Sequence, residues 1–372
     1  MKRIGLLLLL VLAVSFSCEQ DDIDMDTPEY DGESMTVRVK FEPIVGGVLY
    51  DYVDAEFTII GYNEADAEKW KTTLTYAGPE PNDFKIKRGM HRYTLEVKKW
   101  GITNKQAFLG AYLWDARVRD GAVPTTFVFT GFAEPRKIDY TISYLQMKGA
   151  PAPQNKTEYR YGADDRIETI VTYRYSQSSK RFVKDTERNF EYSENRVSKI
   201  ETYSTESETP YEESVYSYDG AGRPTHIFVR STRSGVTTDV TLSYKASNPT
   251  VSAVYQSSNG RSFEYSFIAQ RNTVSSDQTT RGTQICSEGR YTYDRSINPL
   301  SHLGYVDYLF RNYSLYNRET EEVIYTGCAF PTLVPESYSY TYDADGYPTT
   351  STTHYRSKSL TTQVHFFYKN DD

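Results

Sequence analysis

The sequence predicts an all-β protein: a β-sandwich followed by a large antiparallel up-and-down β-meander, curled into a full or partial barrel with one short inserted helix. Three observations carry this expectation. A Tyr-x-Tyr-Asp-x-x-Gly unit recurs through the second half, fullest at Tyr216-Ser217-Tyr218-Asp219-Gly220-Ala221-Gly222-Arg223 and again at Tyr340-Thr341-Tyr342-Asp343-Ala344-Asp345-Gly346. Side chains alternate with period two, as in Tyr338, Tyr340 and Tyr342 against Ser339 and Thr341, which is strand periodicity. Of 34 tyrosines, 25 lie between residues 159 and 368, whereas all three tryptophans (Trp70, Trp100, Trp114) precede that region.

The aromatic positions of the repeats start at 159, 190, 216, 242, 263, 291, 340 and 366, so most steps are near 26 residues. That length suits one hairpin per unit, two strands with their turns. Within each turn, Asp hydrogen-bonds its own backbone and Gly takes the positive φ that closes the hairpin.

At the N-terminus, Lys2 and Arg3 precede an apolar run from Ile4 to Val14 that is too short to span a bilayer. Residues 1–17 read as a signal peptide. The stretch ending at Cys18 resembles a lipoprotein signal, which implies that Cys18 carries the lipid; Ser15 departs from the usual Leu, although relaxed versions occur among Bacteroidetes lipoproteins. Residues 18–34 form an acidic tether with eight acids and no base, and acids directly after the lipidated Cys resemble an export tag to the outer leaflet. Loss of Lys2 and Arg3 with the leader takes the formal charge from −8 to −10, which argues against nucleic acid as a partner. The expected setting is the outer membrane, on the periplasmic face or the cell surface.

Residues 35–148 contain strand-like runs at Val37 to Phe41, Phe57 to Tyr62, Thr72 to Tyr76, Phe84 to Lys87, Tyr93 to Val97, Thr126 to Phe129 and Ile138 to Leu145. Short strands punctuated by Gly and Pro predict an immunoglobulin-like antiparallel sandwich. A linker is expected at 149–153, stiffened by Pro151 and Pro153. The repeat domain spans 154–372. Within it, Asn298-Pro299 is a helix start signal and Leu300, Leu303, Val306 and Phe310 lie at helical spacing, predicting a helix over 299–311. That apolar stripe should plug or cap the concave, Tyr- and Phe-lined side of the sheet.

The repeat units, the Asn298-Pro299 to Phe310 insertion, the segment Phe330 to Pro335 and the return at Tyr340 to Thr350 together resemble an uncharacterised family of Bacteroidetes lipoproteins with a porin-like fold, over residues 154–372. The copy Tyr218 to Arg223 is similar to the tyrosine-aspartate repeats of rearrangement-hotspot proteins, which build β-walled shells. The resemblance brings no catalytic residues. A membrane-spanning wall is not expected, because the faces opposite the Tyr rows carry Glu168, Thr172 and Arg174, or Ser337, Ser339 and Thr341, which lipid does not tolerate.

Chemistry-bearing motifs are few. No Gly-x-Ser-x-Gly, His-Glu-x-x-His or phosphate loop occurs, and His354 and His365 lack a third ligand, so no metal and no cofactor is expected. Asp164, Asp165, Asp343 and Asp345 sit where turns favour Asp. Cys286 and Cys328, the thiols left after lipidation, are candidates for a disulfide in an oxidising compartment. The long excursion from Arg318 to Pro335 directs ligand binding to Tyr325, Phe330 and Leu333, with the helix and this loop forming one functional end. The function expected is a non-catalytic binding module for a glycan or peptide; the alternatives are a carbohydrate-active or other hydrolytic enzyme, and a structural component of an outer-membrane assembly.

Overall fold

Alternating strands joined by tight turns must pair with chain neighbours or leave edges unpaired, and closing the sheet removes the edges. The structure, a computed structural model, describes residues 34–369 apart from 47, 51–53, 64, 66, 78–79, 88–91, 101–110, 116–125, 134, 148, 246–248, 271–272, 311, 327–333, 344–345 and 357–359. Cys18, the signal peptide and the tether up to residue 33 lie outside the described residues, as do Cys328, Phe330, Leu333 and Asp345.

The N-terminal part comprises β1 (Ser34–Val45), β2 (Val48–Leu49), β3 (Asp54–Tyr62), β4 (Glu68–Ala77), β5 (Asn82–Lys87), β6 (Arg92–Trp100), β7 (Ala111–Asp115) and β8 (Thr126–Ala133). They make two four-stranded sheets. In one, β1 pairs with β2 and β5 and, in parallel, with β8; the other runs β4-β3-β6-β7. Val37, Val39, Phe41 and Ile86 of the first sheet share one core with Phe57, Ile59, Tyr76 and Tyr93 of the second.

The barrel follows as β9 (Ile138–Gln146), β10 (Ala152–Tyr161), β11 (Ile167–Ser176), β12 (Arg181–Ser193), β13 (Arg196–Ser204), β14 (Glu212–Tyr218), β15 (Pro224–Ser231) and β16 (Val236–Tyr244). It continues with β17 (Thr250–Ser257), β18 (Ser262–Gln270), β19 (Thr273–Arg281), β20 (Gln284–Ile297), β21 (Tyr316–Tyr325), β22 (Pro335–Tyr342), β23 (Pro348–Tyr355) and β24 (Thr361–Tyr368). These strands form a closed antiparallel barrel in chain order, with β9 between β24 and β10. The expected boundary at 149–153 therefore lies inside the barrel's first hairpin: Ile138 to Leu145 belongs to the barrel, and Ala152 and Pro153 pair with Leu145 and Tyr144. The prolines misled because Pro is tolerated at a strand start.

The helix expected over 299–311 is only a 3₁₀ turn, Pro299–Leu303. Asn298 caps its start by accepting from the Leu300 amide, but Gly304 in the left-handed region stops it. The apolar residues still point inward: Leu303 and Phe310 join the barrel core with Leu300 and Val306 packed against it. Tyr305 meets Phe190 at 4.9 Å, Phe310 meets Phe267 at 5.1 Å, and the Tyr255 hydroxyl donates to the Tyr308 carbonyl. The insertion thus reaches strands from β12 to β18 and plugs one end.

Residues opposed across a sheet share a face. One inward ring runs Tyr216, Ile227, Val240, Tyr255, Phe263. Another, towards the opposite end, runs Thr141, Thr157, Thr172, Thr186. The interior is apolar near the plug and hydroxyl-rich away from it. The outward face carries Lys156 with Glu158, Lys199 with Glu191 and Glu201, and Arg230 with Glu213, all at 2.5 to 2.9 Å. Charges at mid-height cost a lipid-facing wall a few kcal/mol each, so this outer wall is suited to water. Not every tyrosine faces inward: Tyr173 lies on the outer face and donates to Glu158.

The repeat has a physical rationale that the motif alone did not reveal. The last Tyr of a unit donates its hydroxyl to a backbone carbonyl at the start of the preceding unit's second strand: Tyr192 to Ile167 (2.6 Å), Tyr218 to Val197 (2.7 Å), Tyr244 to Pro224 (2.8 Å) and Tyr368 to Pro348 (2.8 Å). The residue before each carbonyl covers the same ring. Arg166 lies over Tyr192, Arg196 over Tyr218 and Arg223 over Tyr244, and Tyr347 packs edge-on against Tyr368. The turn aspartates act as turn caps: Asp219 Oδ1 accepts from the Ala221 and Arg223 amides, and Asp343 Oδ1 from the Tyr347 amide.

The N-terminal sheets sit on the plugged end. Ile297, Leu315, Tyr316 and Tyr347 of the barrel belong to the core shared by the two N-terminal sheets, and Arg136 forms an ion pair with Asp343 at 2.5 Å. The Tyr50 hydroxyl meets His302 Nε2 at 2.6 Å. Burial pushes the His302 imidazole down to about 4. An unfolded chain binds that proton from about 6.5 downward, so protonation favours unfolding below this value. The contribution of His302 should be complete above pH 6.5 and decline towards pH 4 at up to about 1.4 kcal/mol per pH unit. Urea unfolding of the wild type and of His302→Asn across this range checks it; parallel pH profiles would contradict it.

Candidate functional site

The inward face of β18 to β22 carries a charged cluster that borders the insertion, where Phe310 lies 6.1 Å from the Tyr265 ring. Alternation alone would put Arg318 and Glu321 on opposite faces of β21. The register between β20 and β21 slips there, with Thr292 opposite Thr320 but Tyr293 opposite Arg318, so Glu319 is the extra residue. This bulge brings Arg318 and Glu321 to the same side, as bulges do where a side chain must be re-aimed. Arg318 Nη1 donates to Glu321 Oε2 at 2.8 Å, and the Tyr338 hydroxyl donates to the same oxygen at 2.7 Å. The Arg318 guanidinium also lies 3.9 Å from the centre of the Tyr291 ring.

On the other side of Tyr291 is Asp277, whose Oδ2 accepts from Tyr291 at 2.6 Å and from Tyr265 at 2.8 Å. Gly289 makes this arrangement fit. A Cβ there would stand 2.5 Å from Asp277 Oδ1 and would overlap the Tyr291 phenol, which folds back across the glycine. Burial, then the Asp277 charge, raises the Tyr265 and Tyr291 phenols, so both stay protonated donors. Burial and then Glu321 do the same for Tyr338.

One third of the Arg318 side chain is exposed, against one tenth of Glu321. Arg318 is therefore a cation held in place yet reachable from within the barrel. Each carboxylate gives one oxygen to two donors, which fixes it as an acceptor. Phenol faces, a guanidinium and fixed carboxylates on one concave wall match the chemistry of a polyhydroxylated ligand: ring faces for C–H surfaces and paired polar groups for hydroxyls.

Of the residues expected to bind, Tyr325 is half-buried on this wall, opposite Ser287. It lies at the far end of β21 from the insertion, so Tyr325 and the plug do not meet at one functional end. Cys286 is buried and disulfide-bonded. His354 reaches Ser339 and His365 packs on Tyr144, and among the described residues no group of three or more His, Cys, Asp or Glu is placed to hold a metal. Tyr340 and Tyr342 share a face, stacked at 6.0 Å, but Tyr342 is a rim residue, 37% exposed. Sequence reasoning missed Asp277, Gly289 and Arg318 as site residues, because they stand on three different strands that only the pairing brings together.

No family description matches the chain, and no curated protein does. Among solved structures, the chain is similar to a porin-like protein from Bacteroides uniformis (13% identity, TM-score 0.43, covering 63% of this chain and 99% of that one). It is also similar to a porin-like protein from Bacteroides vulgatus (10% identity, TM-score 0.35, covering 63% and 99%). At these scores the likeness carries no argument, and the closed barrel stands on its strand pairing.

Proposed function

We propose that the protein is a lipid-anchored, water-exposed binding module that holds a glycan against the inner wall of its plugged barrel. The observation that carries this reading is the cluster Tyr265, Asp277, Tyr291, Arg318, Glu321 and Tyr338 on a single inward face. Asp277 and Glu321 are committed to hydrogen bonds, which favours holding a ligand over moving protons. Anchoring rests on Cys18 behind a short apolar run, and the charged outer wall supports a barrel that is tethered to a membrane without crossing it. In this reading the N-terminal sheets are an immunoglobulin-like cap, and Tyr325, Phe330 and Leu333 border the open end, tied to β20 by a Cys286–Cys328 disulfide.

The test is a glycan array probed with the wild type and with Arg318→Gln, Tyr338→Phe and Tyr325→Ala, each first shown to unfold cooperatively. A hit weakened about tenfold or more by Arg318→Gln supports the reading. A hit indifferent to all three variants contradicts the site. Cys18→Ala should release the protein from the membrane fraction; a variant that still pellets after a salt wash contradicts the anchor.

A further inference from the structure

The plugged end contains a cavity of about 270 Å³ between the turns of β12–β13 and β14–β15 and the insertion. Among its lining residues are Arg196, Tyr216, Tyr218, Tyr305 and Tyr313. It is separate from the cluster on β18 to β22 and shares no residue with it.

Two features make it more than a packing gap. The first is Arg196. At the equivalent place in neighbouring units, Arg166 pairs with Asp164 and Arg223 with Asp219, and each guanidinium lies 4.6 Å from its tyrosine ring. The turn before Arg196 is Ser193-Glu194-Asn195, with Glu194 and Asn195 both in the left-handed region and no Asp at the capping position. Arg196 has no carboxylate partner among the described residues and lies 5.7 Å from the Tyr218 ring. The second is Tyr216, whose largely buried ring, 7% exposed, lines the same cavity.

We infer that this cavity binds a small acidic sugar, one hexuronate-sized ring with its carboxylate on Arg196 and an oxygen accepting from Tyr216. Its volume lies just under the range for drug-sized ligands, about 300–1,000 Å³, which limits the occupant to a single ring. Tyr216 and Tyr218, 6.4 Å apart with planes 19° from parallel, give the cavity an aromatic side against which a sugar's C–H groups can pack. Arg supplies the planar fork that carboxylates match. Tyr218 still staples its hairpin to the one before, but the Arg196 guanidinium, without a carboxylate partner among the described residues, can serve a ligand as well.

The test is titration of the full chain with sodium D-galacturonate and with D-galactose, read by ligand-observed NMR and calorimetry. Galacturonate should bind about tenfold or more tighter than galactose, and less tightly as salt rises. Arg196→Gln should abolish the preference, and Tyr216→Phe should weaken both sugars while leaving the preference. Arg223→Gln, whose parent is already paired with Asp219, should change neither. Arg318→Gln should also leave galacturonate binding intact, which separates failure here from failure of the inner-wall site. Equal or absent binding of the two sugars, or a preference that survives Arg196→Gln, overturns the inference.

Discussion

Phe310→Ala is expected to cost about 3–4 kcal/mol and to release the insertion from the barrel. The ring is 6% exposed and packs against Phe267 at 5.1 Å, Tyr265 at 6.1 Å and Tyr313 at 6.4 Å. Sixteen tilted strands about 4.8 Å apart enclose a radius of roughly 15 Å, more than their own side chains fill. The insertion has to supply the missing apolar volume at the domain-facing end, and Phe310 is its most enclosed aromatic ring. No collapse of the paired wall can refill the space it leaves. Urea unfolding of the variant reads the loss directly. A change under about 1 kcal/mol would mean that the ring lies on the surface of the wall instead of inside it.

Gly289→Val is expected to cost about 2–4 kcal/mol, with Gly289→Ala at the lower end. The added carbon would meet Asp277 Oδ1 and the Tyr291 phenol, both tied into one hydrogen-bonded cluster. Either group must move, and the movement leaves Asp277 with one donor fewer and unseats Tyr291 from Arg318. Gly220→Ala is the control, because a Cβ there would meet nothing within 4 Å, and it should change stability by under about 0.5 kcal/mol. Similar losses for positions 289 and 220 would mean that Tyr291 does not fold over the glycine.

Much of the wall was legible in the sequence. Period-two tyrosines marked the strands, Asp219 and Gly222 marked the turn that the structure shows, and a hairpin-sized step implied neighbours in chain order. The apolar positions of the insertion were also read correctly as inward-facing, although Gly304 ends the expected helix after one turn. What escaped notice depends on register. Ile138 to Leu145 alternates like a sandwich strand, and only its pairing with β24 and β10 places it in the barrel. The bulge at Glu319 breaks alternation, so Arg318 and Glu321 look like opposite faces until the strands are paired. The stapling arginines look like solvated turn residues because the tyrosine each one covers lies on the next hairpin.

A plugged barrel with a charged outer wall is tested most directly by the behaviour of residues 19–372 in buffer without detergent. A chain lacking the leader and Cys18 should be soluble, unfold cooperatively and stay apart from lipid vesicles, with amides of 298–315 exchanging as slowly as those of the wall. Dependence on detergent, insertion into vesicles, or exchange in 298–315 as fast as in the acidic tether would contradict it.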